Sequence, residues 1–193
     1  MSEYYNKNAS IYFNDTVNAD VSELYGPFLE QIPYNAHILD AGCGSGRDTL
    51  YFLKKGYIVT SIDASDEIAK LAEEYTKHPV TVVRFQDIIW ENEFDAIWAC
   101  ATLLHVPSTE IRTVFRKFSL ALKTGGIIDG SFKYGSGERI KSDGRQFLDM
   151  NEVDLSNIIN DIDSLRIEKT WTTGDVRPGR ENEKWLNFII RKK

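Results

Sequence analysis

The sequence predicts an α/β protein built around a mostly parallel sheet, and three observations lead to this class. A short apolar run, Ile38-Leu39, breaks into alternate glycines and is followed by an amphipathic helical pattern. Further strand-like and helical segments alternate along the chain. A carboxylate, Asp63, closes the second strand-like run. Strand, glycine loop and helix in this order bring a ligand against bare backbone at a helix N-terminus.

Length and composition fit one domain of ordinary size, and the net charge bears on its partners. The 193 residues, of which 42% are hydrophobic and 12% aromatic, are enough for a single core, so residues 1–193 are treated as one unit. The formal net charge of −6 disfavours a nucleic-acid backbone as a partner of the whole surface. We expect a small-molecule substrate, no nucleic-acid partner, and a monomer or homodimer.

Cysteine usage and the N-terminal residues bear on location. Cys43 and Cys100 are the only cysteines, and two in a chain of this length make no disulfide framework. The first residues are not followed by the apolar segment of a signal peptide, and no run approaches the roughly 18 apolar residues that span a membrane. We therefore expect a cytoplasmic protein without a membrane partner.

The glycine loop places Gly42, Gly44 and Gly46 at alternate positions. Alternate glycines remove the Cβ atoms that would hold a ligand off, so several backbone N–H groups can face an anionic or polar group. The helix after the loop ends near Gly56, a typical C-terminal stop. A tight turn that binds nothing is the alternative explanation of the loop taken alone.

Asp63 strengthens the ligand-binding interpretation. It lies 21 positions after Gly42, at the end of the second predicted strand. In nucleotide-binding α/β units an acidic residue about 20 positions on, at the tip of the second strand, accepts hydrogen bonds from a ribose. The third glycine stands one position earlier than in the dinucleotide fingerprint G-x-G-x-x-G, which disfavours a nicotinamide cofactor.

The remaining elements follow from hydrophobic periodicity and capping residues. Ser65 is a predicted N-cap, and the continuous apolar run around Trp98 suits a central strand that is buried on both faces. The stretch 133–150 is predicted to be a long irregular loop, which is typical of functional segments. Predicted helices cover about residues 19–31, 65–77, 109–122 and 152–160, and predicted strands cover 38–40, 57–62, 80–83, 93–101, 127–132, 164–171 and 184–191.

The first motif carries a family resemblance. A strand that ends in Asp40, followed by Gly42-Cys43-Gly44-Ser45-Gly46, resembles the first motif of the class I S-adenosylmethionine-dependent methyltransferases. The resemblance covers residues 34–131, and the tail is similar to a small bacterial-type group related to the tellurite-resistance methyltransferases. It implies a Rossmann-like, seven-stranded, mostly parallel sheet of order 3-2-1-4-5-7-6, with the last strand antiparallel and helices on both faces.

The resemblance also implies S-adenosyl-L-methionine as cofactor and S-adenosyl-L-homocysteine as product. Residues 1–33 would form an N-terminal arm and lid, residues 34–131 the cofactor-binding core, and residues 132–193 a substrate-side loop and C-terminal hairpin. Asp87 resembles the family residue that binds the adenine amino group, and a cap or turn role is its alternative. The expected cofactor-binding residues are Asp40, Gly42, Gly44, Ser45, Arg47, Asp63, Ala64, Gln86, Asp87, Ile88 and Cys100.

The catalytic residues of such an enzyme are difficult to identify from a sequence. Methyl transfer from a sulfonium depends mainly on the alignment of the reacting atoms, and a base helps only when the acceptor must lose a proton. His105, after the fourth predicted strand, is the candidate catalytic residue because imidazole titrates near neutrality. A packing or capping role beside Pro107 is the alternative. No metal site is expected.

Cationic loops near the open end of the sheet suggest a small polar or anionic acceptor, since arginine favours bidentate contacts with carboxylates and oxyanions. The alternative is a solvated loop paired with Glu138, Asp143 and Asp175. Aromatic residues of the arm either pack on the domain or close over the sulfonium through cation–π attraction. The expected acceptor-side residues are Tyr5, Tyr12, Lys133, Arg145, Arg177 and Arg180.

Three functional hypotheses follow. The first is a methyltransferase that acts on a small molecule by in-line displacement. The second is a nicotinamide-dependent oxidoreductase, which the glycine spacing and the lack of a recognisable hydride-transfer site disfavour. The third is a module that binds S-adenosylmethionine without catalysis.

Overall fold

The computed structural model describes residues 2–177, 179–180 and 182–193. Its helices are α1 (Ser2–Lys7), α2 (Ala9–Thr16), α3 (Ser22–Leu29), α4 (Arg47–Lys54), α5 (Asp66–Thr76), α6 (Ser108–Ala121) and α7 (Glu152–Ile159). Its strands are β1 (His37–Ala41), β2 (Ile58–Asp63), β3 (Val80–Val82), β4 (Phe94–Ala99), β5 (Leu122–Lys133), β6 (Gly137–Ile140), β7 (Gln146–Asp149), β8 (Leu165–Gly174) and β9 (Lys184–Lys192). Single 3-10 turns, Phe85–Asp87 and Leu103–His105, follow β3 and β4.

One seven-stranded sheet organises the described residues, in the order β3-β2-β1-β4-β5-β9-β8. The pairs from β3 to β5 are parallel, whereas β9 runs antiparallel to both β5 and β8. The fold is therefore α/β and Rossmann-like, as the sequence predicted. The carboxyl ends of β1, β2 and β4 meet at one edge, which is where open α/β sheets bind ligands.

The predicted strand order, 3-2-1-4-5-7-6, differs from the observed order because the sequence analysis missed two strands. Residues 133–150, predicted to be an irregular loop, contain the hairpin of β6 and β7, which forms a separate two-stranded sheet. The two strands are four residues long, and β6 buries none of its side chains. Without an apolar face, β6 lacks the alternation by which a strand is predicted.

The N-terminal segment and β5 also differ from prediction. Residues of the arm form the two helices α1 and α2, and the helix expected over 19–31 is shorter, covering Ser22–Leu29. Residues 123–126, which precede the strand predicted over 127–132, belong to β5, where the register against β4 shifts. The difference between the predicted and the observed start of β5 lies at the end of an element, where sequence signals are weakest.

Two apolar clusters pack on opposite faces of the sheet. One includes Phe115 and Phe118, which lie on the buried side of α6. The other joins Phe28, Phe52 and Trp98 beneath α3 and α4. No helix in the described part of the chain combines the length and apolar character needed to cross a bilayer.

Gly130 in β5 tests how tightly the sheet packs. A Cβ added there would lie 2.6 Å from Cζ of Phe188 and 3.3 Å from the carbonyl oxygen of Ala99. Gly130→Ala should lower the free energy of unfolding by about 1–3 kcal/mol, the usual cost of overpacking a core. Urea unfolding followed by circular dichroism measures the change. Gly174→Ala in β8 is the matched control, since its added Cβ meets nothing within 4 Å. Equal losses in both variants would contradict this packing.

Candidate active site

The loop after β1 needs its glycines. Gly42, Gly44 and Gly46 have φ angles of 77°, 55° and 78°, in the left-handed region that side chains disfavour. The amides of Gly42 and Cys43 both donate to the carbonyl oxygen of Ile62, at 2.8 and 2.9 Å. These bonds join the loop to the end of β2.

Asp63 is fixed by backbone amides. Its Oδ2 accepts from the Gly44 amide at 3.1 Å, and its Oδ1 accepts from the Ser65 amide at 2.9 Å. Burial raises the pKa of Asp63, and these amide donors oppose that rise. Ser65 caps α5 by accepting from the Ile68 amide at 3.3 Å, which confirms the predicted N-cap. Asp63 as a residue is half-buried.

Arg47 is held in place by Asp48, a residue that the sequence analysis did not single out. The guanidinium donates twice, from Nε to Oδ1 at 2.7 Å and from Nη2 to Oδ2 at 2.8 Å. Tyr25 Oη and Trp98 Nε1 donate to the same carboxylate at 2.7 and 2.8 Å. Burial opposes ionisation of Asp48, but Arg47 and the other donors outweigh it, so the pKa of Asp48 lies below its usual range.

Asp40 faces the helix after the loop. Thr49 Oγ1 donates to Asp40 Oδ2 at 2.6 Å and also lies 2.8 Å from Ser61 Oγ. Burial, together with the charge of Asp48, raises the pKa of Asp40. Asp40 therefore joins β1 to α4 beneath the glycine loop.

A cavity of about 600 Å³ opens at the carboxyl edge of the sheet. Cys100 follows β4, while Ser131 of β5 and Asn187 of β9 pair in register, so the sheet supplies one wall. Residues of α1 and α2 supply another. The predicted site residues on its walls are Tyr5, Tyr12, Gly42, Ser45, Arg47, Cys100, His105, Lys133, Arg145, Arg177 and Arg180.

The other predicted cofactor residues lie beside this cavity or away from it. Gln86 Nε2 donates to Glu110, and Asp87 accepts from Arg84, both at the surface. Ile88 is buried in the apolar core. The set outside the cavity wall is Asp40, Gly44, Asp63, Ala64, Gln86, Asp87 and Ile88.

The N-terminal arm covers the glycine loop and the start of α5. Asn6 Oδ1 accepts from Ser65 Oγ and from the Glu67 amide. A Cβ added to Gly44 would lie 2.9 Å from Tyr12 Oη. The arm thus occupies the place where the sequence analysis put a lid, and its opening and closing stay a prediction.

Lys133 and Arg177 share the carboxylate of Asp175 at the cavity wall. Lys133 Nζ lies 2.6 Å from Asp175 Oδ2, contacts Glu183, and sits 3.9 Å from the ring centroid of Trp185. Arg177 Nη2 also lies 2.6 Å from Asp175 Oδ2. Burial opposes ionisation of Asp175, but its donors outweigh it, so the pKa of Asp175 lies below its usual range.

Arg145 and Arg180 differ in their partners. Arg145 pairs with Asp143, 2.7 Å from Nη2 to Oδ2. In the described residues no carboxylate pairs with Arg180, which lines the cavity. Carboxylate pairing, one part of the alternative explanation, therefore holds for Lys133, Arg145 and Arg177, but Lys133 is buried rather than solvated.

His105 is locked by two hydrogen bonds. Its Nδ1 lies 3.3 Å from the carbonyl oxygen of Gln146, and its Nε2 lies 2.7 Å from Tyr5 Oη. Burial lowers the pKa of His105 to about 4, the Gln146 bond opposes this, and the charges of Arg145 and Lys141 add to the lowering. His105 is therefore neutral at physiological pH.

Sequence reasoning missed several wall residues, and weak signals marked two of them. Asn187 is the one polar residue between Trp185 and Ile190 in a buried strand. Asp175 lies two positions before Arg177, a spacing that permits local pairing. Asp48 was not recognised, because two of the residues that hold it, Tyr25 and Trp98, lie on the distant elements α3 and β4. Across the described ranges, no group of three or more His, Cys, Asp or Glu side chains is placed to hold a metal ion.

Comparison with known proteins finds relatives for the central part of the chain. Residues 38–126 match the model of a methyltransferase domain family. YqeM of Bacillus subtilis (strain 168), provisionally named a methyltransferase, is 27% identical over 104 residues, which cover 50% of this chain but only 42% of YqeM. An uncharacterized methyltransferase of Staphylococcus carnosus (strain TM300) is 28% identical over 142 residues, covering 68% of this chain and 67% of the relative.

A solved structure shares the whole fold. It is the 1,6-didemethyltoxoflavin-N1-methyltransferase of Burkholderia thailandensis with bound 1,6-didemethyltoxoflavin and S-adenosylhomocysteine. The TM-score is 0.76 at 21% identity, over 99% of this chain and 84% of the other. The chain therefore has a Rossmann-like methyltransferase fold, and residues 38–126 in its core match a methyltransferase domain family.

Proposed function

We propose that the protein transfers a methyl group from S-adenosylmethionine to a small polar acceptor. The observation that carries the proposal is the hydrogen bond from the Gly44 amide to Asp63. It joins the glycine loop to the carboxylate at the end of β2, so the two parts of an adenosyl-binding site form one rigid unit. The family match over residues 38–126 supports the same function.

The residues fit an adenosyl sulfonium compound. The left-handed glycines leave the loop without Cβ atoms, and Asp63 keeps lone pairs for ribose hydroxyls. Arg47, oriented by Asp48, would pair with the carboxylate of the cofactor's amino-acid end. When bound, S-adenosylmethionine supplies an activated methyl group on a charged sulfur that leaves readily.

Cys100 and Tyr12 are proposed to lie near the sulfonium of the cofactor. Burial raises the pKa of Cys100 to about 12, so this wall residue stays a neutral thiol and adds no charge beside a sulfonium. Tyr12 offers an aromatic ring for cation–π attraction. The remaining proposed cofactor residues are Asp40, Gly42, Gly44, Ser45, Ala64, Gln86, Asp87 and Ile88.

The paired cations favour a polar acceptor of low charge. Lys133, Arg145 and Arg177 each carry a carboxylate partner, so they act on an acceptor mainly as fixed N–H donors. Ser131 and Asn187 add neutral hydrogen-bonding groups. Arg180 is the proposed contact for any carboxylate or oxyanion on the acceptor.

Three further expectations belong to this proposal. A cytoplasmic location is supported by Cys43 and Cys100, which are both free thiols. A monomeric or homodimeric state and a relation to the tellurite-resistance methyltransferases rest on the sequence alone. The choice of acceptor does not depend on any of them.

Asp63→Ala tests the cofactor site. It should weaken S-adenosylhomocysteine binding by about 10–100-fold, since a carboxylate that accepts hydroxyl hydrogen bonds contributes about 1.5–3 kcal/mol. Titration calorimetry measures this, and a thermal melt checks that the variant is folded. Glu67→Ala, a nearby exposed carboxylate paired with Lys70, is the control and should bind normally. Unchanged affinity in Asp63→Ala, or tight binding of NAD by the parent, would refute the assignment.

Arg180→Ala tests the acceptor side. With acceptors that carry a carboxylate, kcat/KM should fall about 10-fold or more, because a charge-assisted hydrogen bond is lost. Transfer of labelled methyl groups to a panel of matched neutral and carboxylate-bearing acceptors measures it. Arg166→Ala, an exposed arginine paired with Glu168, is the control. An equal loss of S-adenosylhomocysteine affinity in Arg180→Ala would move Arg180 to the cofactor site instead.

A further inference from the structure

The imidazole of His105 has its tautomer fixed. The carbonyl oxygen of Gln146 can only accept, so Nδ1 carries the ring proton. Nε2 is then an unprotonated acceptor, and the phenol of Tyr5 donates to it at 2.7 Å. A proton that reaches Nε2 along this bond comes from Tyr5 Oη.

The phenol of Tyr5 also lies near a cation. The positive charge of Arg145 opposes the rise that burial causes in the pKa of Tyr5. Arg145 is itself anchored by Asp143 and lies 4.7 Å from the ring centroid of Tyr4. A fixed cation beside the phenol favours negative charge on that oxygen, which is the charge that develops as a phenol passes on its proton.

The rings of Tyr5 and His105 both line the cavity and are held by packing. The Tyr5 ring meets His105 edge-on at a centroid distance of 5.3 Å and Tyr12 at 5.0 Å. Phe147 of the hairpin packs against His105 at 5.0 Å. The phenol is therefore positioned at the cavity wall by Tyr12 of α2 and by His105, which Phe147 supports in turn.

Both groups are neutral in the resting protein. Burial raises the pKa of Tyr5, opposed by Arg145 and reinforced by the charge of Asp63. His105 is an uncharged imidazole, and the cations that face it from the hairpin are Arg145 and Lys141. A phenol that donates to a neutral imidazole is the starting state of a two-step proton relay.

We propose that Tyr5 is the catalytic residue that takes the proton of the acceptor, with His105 as the positioning residue that receives the proton of Tyr5. This rests on the proposed function and deepens it for acceptors whose attacking atom carries a proton. As the bond from that atom to the methyl carbon forms and the carbon–sulfur bond breaks, the electron pair stays on sulfur. The acceptor proton moves to Tyr5 Oη, and the Tyr5 proton moves to His105 Nε2. The imidazolium then loses its proton to solvent as the product leaves.

The relay gives the N-terminal arm a chemical task. Tyr5 belongs to α1, whereas His105 follows β4, so the proton path exists only when the arm lies over the cavity. When the arm covers the site, it also brings Tyr5 to His105 and so completes the proton path.

A proton titration of the imidazoles by NMR tests the dyad without any ligand. The chain has three histidines, so the His105 signal is assigned by replacing His37 and His78 in two separate variants. Tyr5→Phe removes the donor to Nε2, and the His105 pKa should rise by about one pH unit, the worth of one hydrogen bond. Tyr75→Phe, outside this cavity, should leave it unchanged. An unaltered His105 pKa in Tyr5→Phe would overturn the dyad.

Single-turnover methyl transfer then tests the catalytic role. Phenol and thiol acceptors, which must lose a proton, are compared with a pyridine and a carboxylate, whose attacking atoms carry none at pH 7. Tyr5→Phe should slow the first pair by about 100-fold or more and leave the second pair and S-adenosylhomocysteine affinity unchanged. With a phenol, its rate should rise about tenfold per pH unit, while the parent rate stays flat above pH 5.

The outcomes separate the two proposals. Equal slowing of both acceptor classes, or no slowing of either, would overturn the relay while leaving methyl transfer intact. A parent protein that binds S-adenosylhomocysteine but methylates no acceptor would refute the proposed function, and the NMR titration would still decide whether Tyr5 and His105 form the dyad.

Discussion

The hydrogen bond from the Gly44 amide to Asp63 is the contact on which the rest of the site depends. It requires the left-handed backbone of the glycine loop, because only that turn aims the amide at the neighbouring strand end. The carbonyl of Ile62 takes two further loop amides, and Ser65 continues into the cap of α5. Two parallel strands, one loop and one helix start are thereby fixed together at the ligand-binding edge of the sheet.

Sequence reasoning succeeded where structure is determined locally. The glycine loop, Asp63 and the Ser65 cap each follow from a few adjacent residues, and all three were placed correctly. It failed at the β6–β7 hairpin, because β6 is exposed and shows no apolar alternation. The bond between Tyr5 and His105 joins positions 100 apart, and no local pattern encodes it.

The charges of the cavity are arranged in pairs, and this shapes the chemistry proposed for it. The carboxylate of Asp175 is almost fully buried and holds both Lys133 and Arg177. Breaking a buried pair leaves an uncompensated charge, so these groups stay oriented with or without a ligand. A wall of oriented donors with little net charge suits alignment of a polar acceptor, which is the main demand of methyl transfer.

The central claim is that the glycine loop and Asp63 together bind the adenosyl group. A crystal structure of the protein with S-adenosylhomocysteine tests it most directly. The account predicts the adenosyl group against the Gly42–Gly46 loop, with a ribose hydroxyl within about 3 Å of the Asp63 carboxylate. Binding of that compound elsewhere in the fold, or a ribose that makes no contact with Asp63, would contradict it.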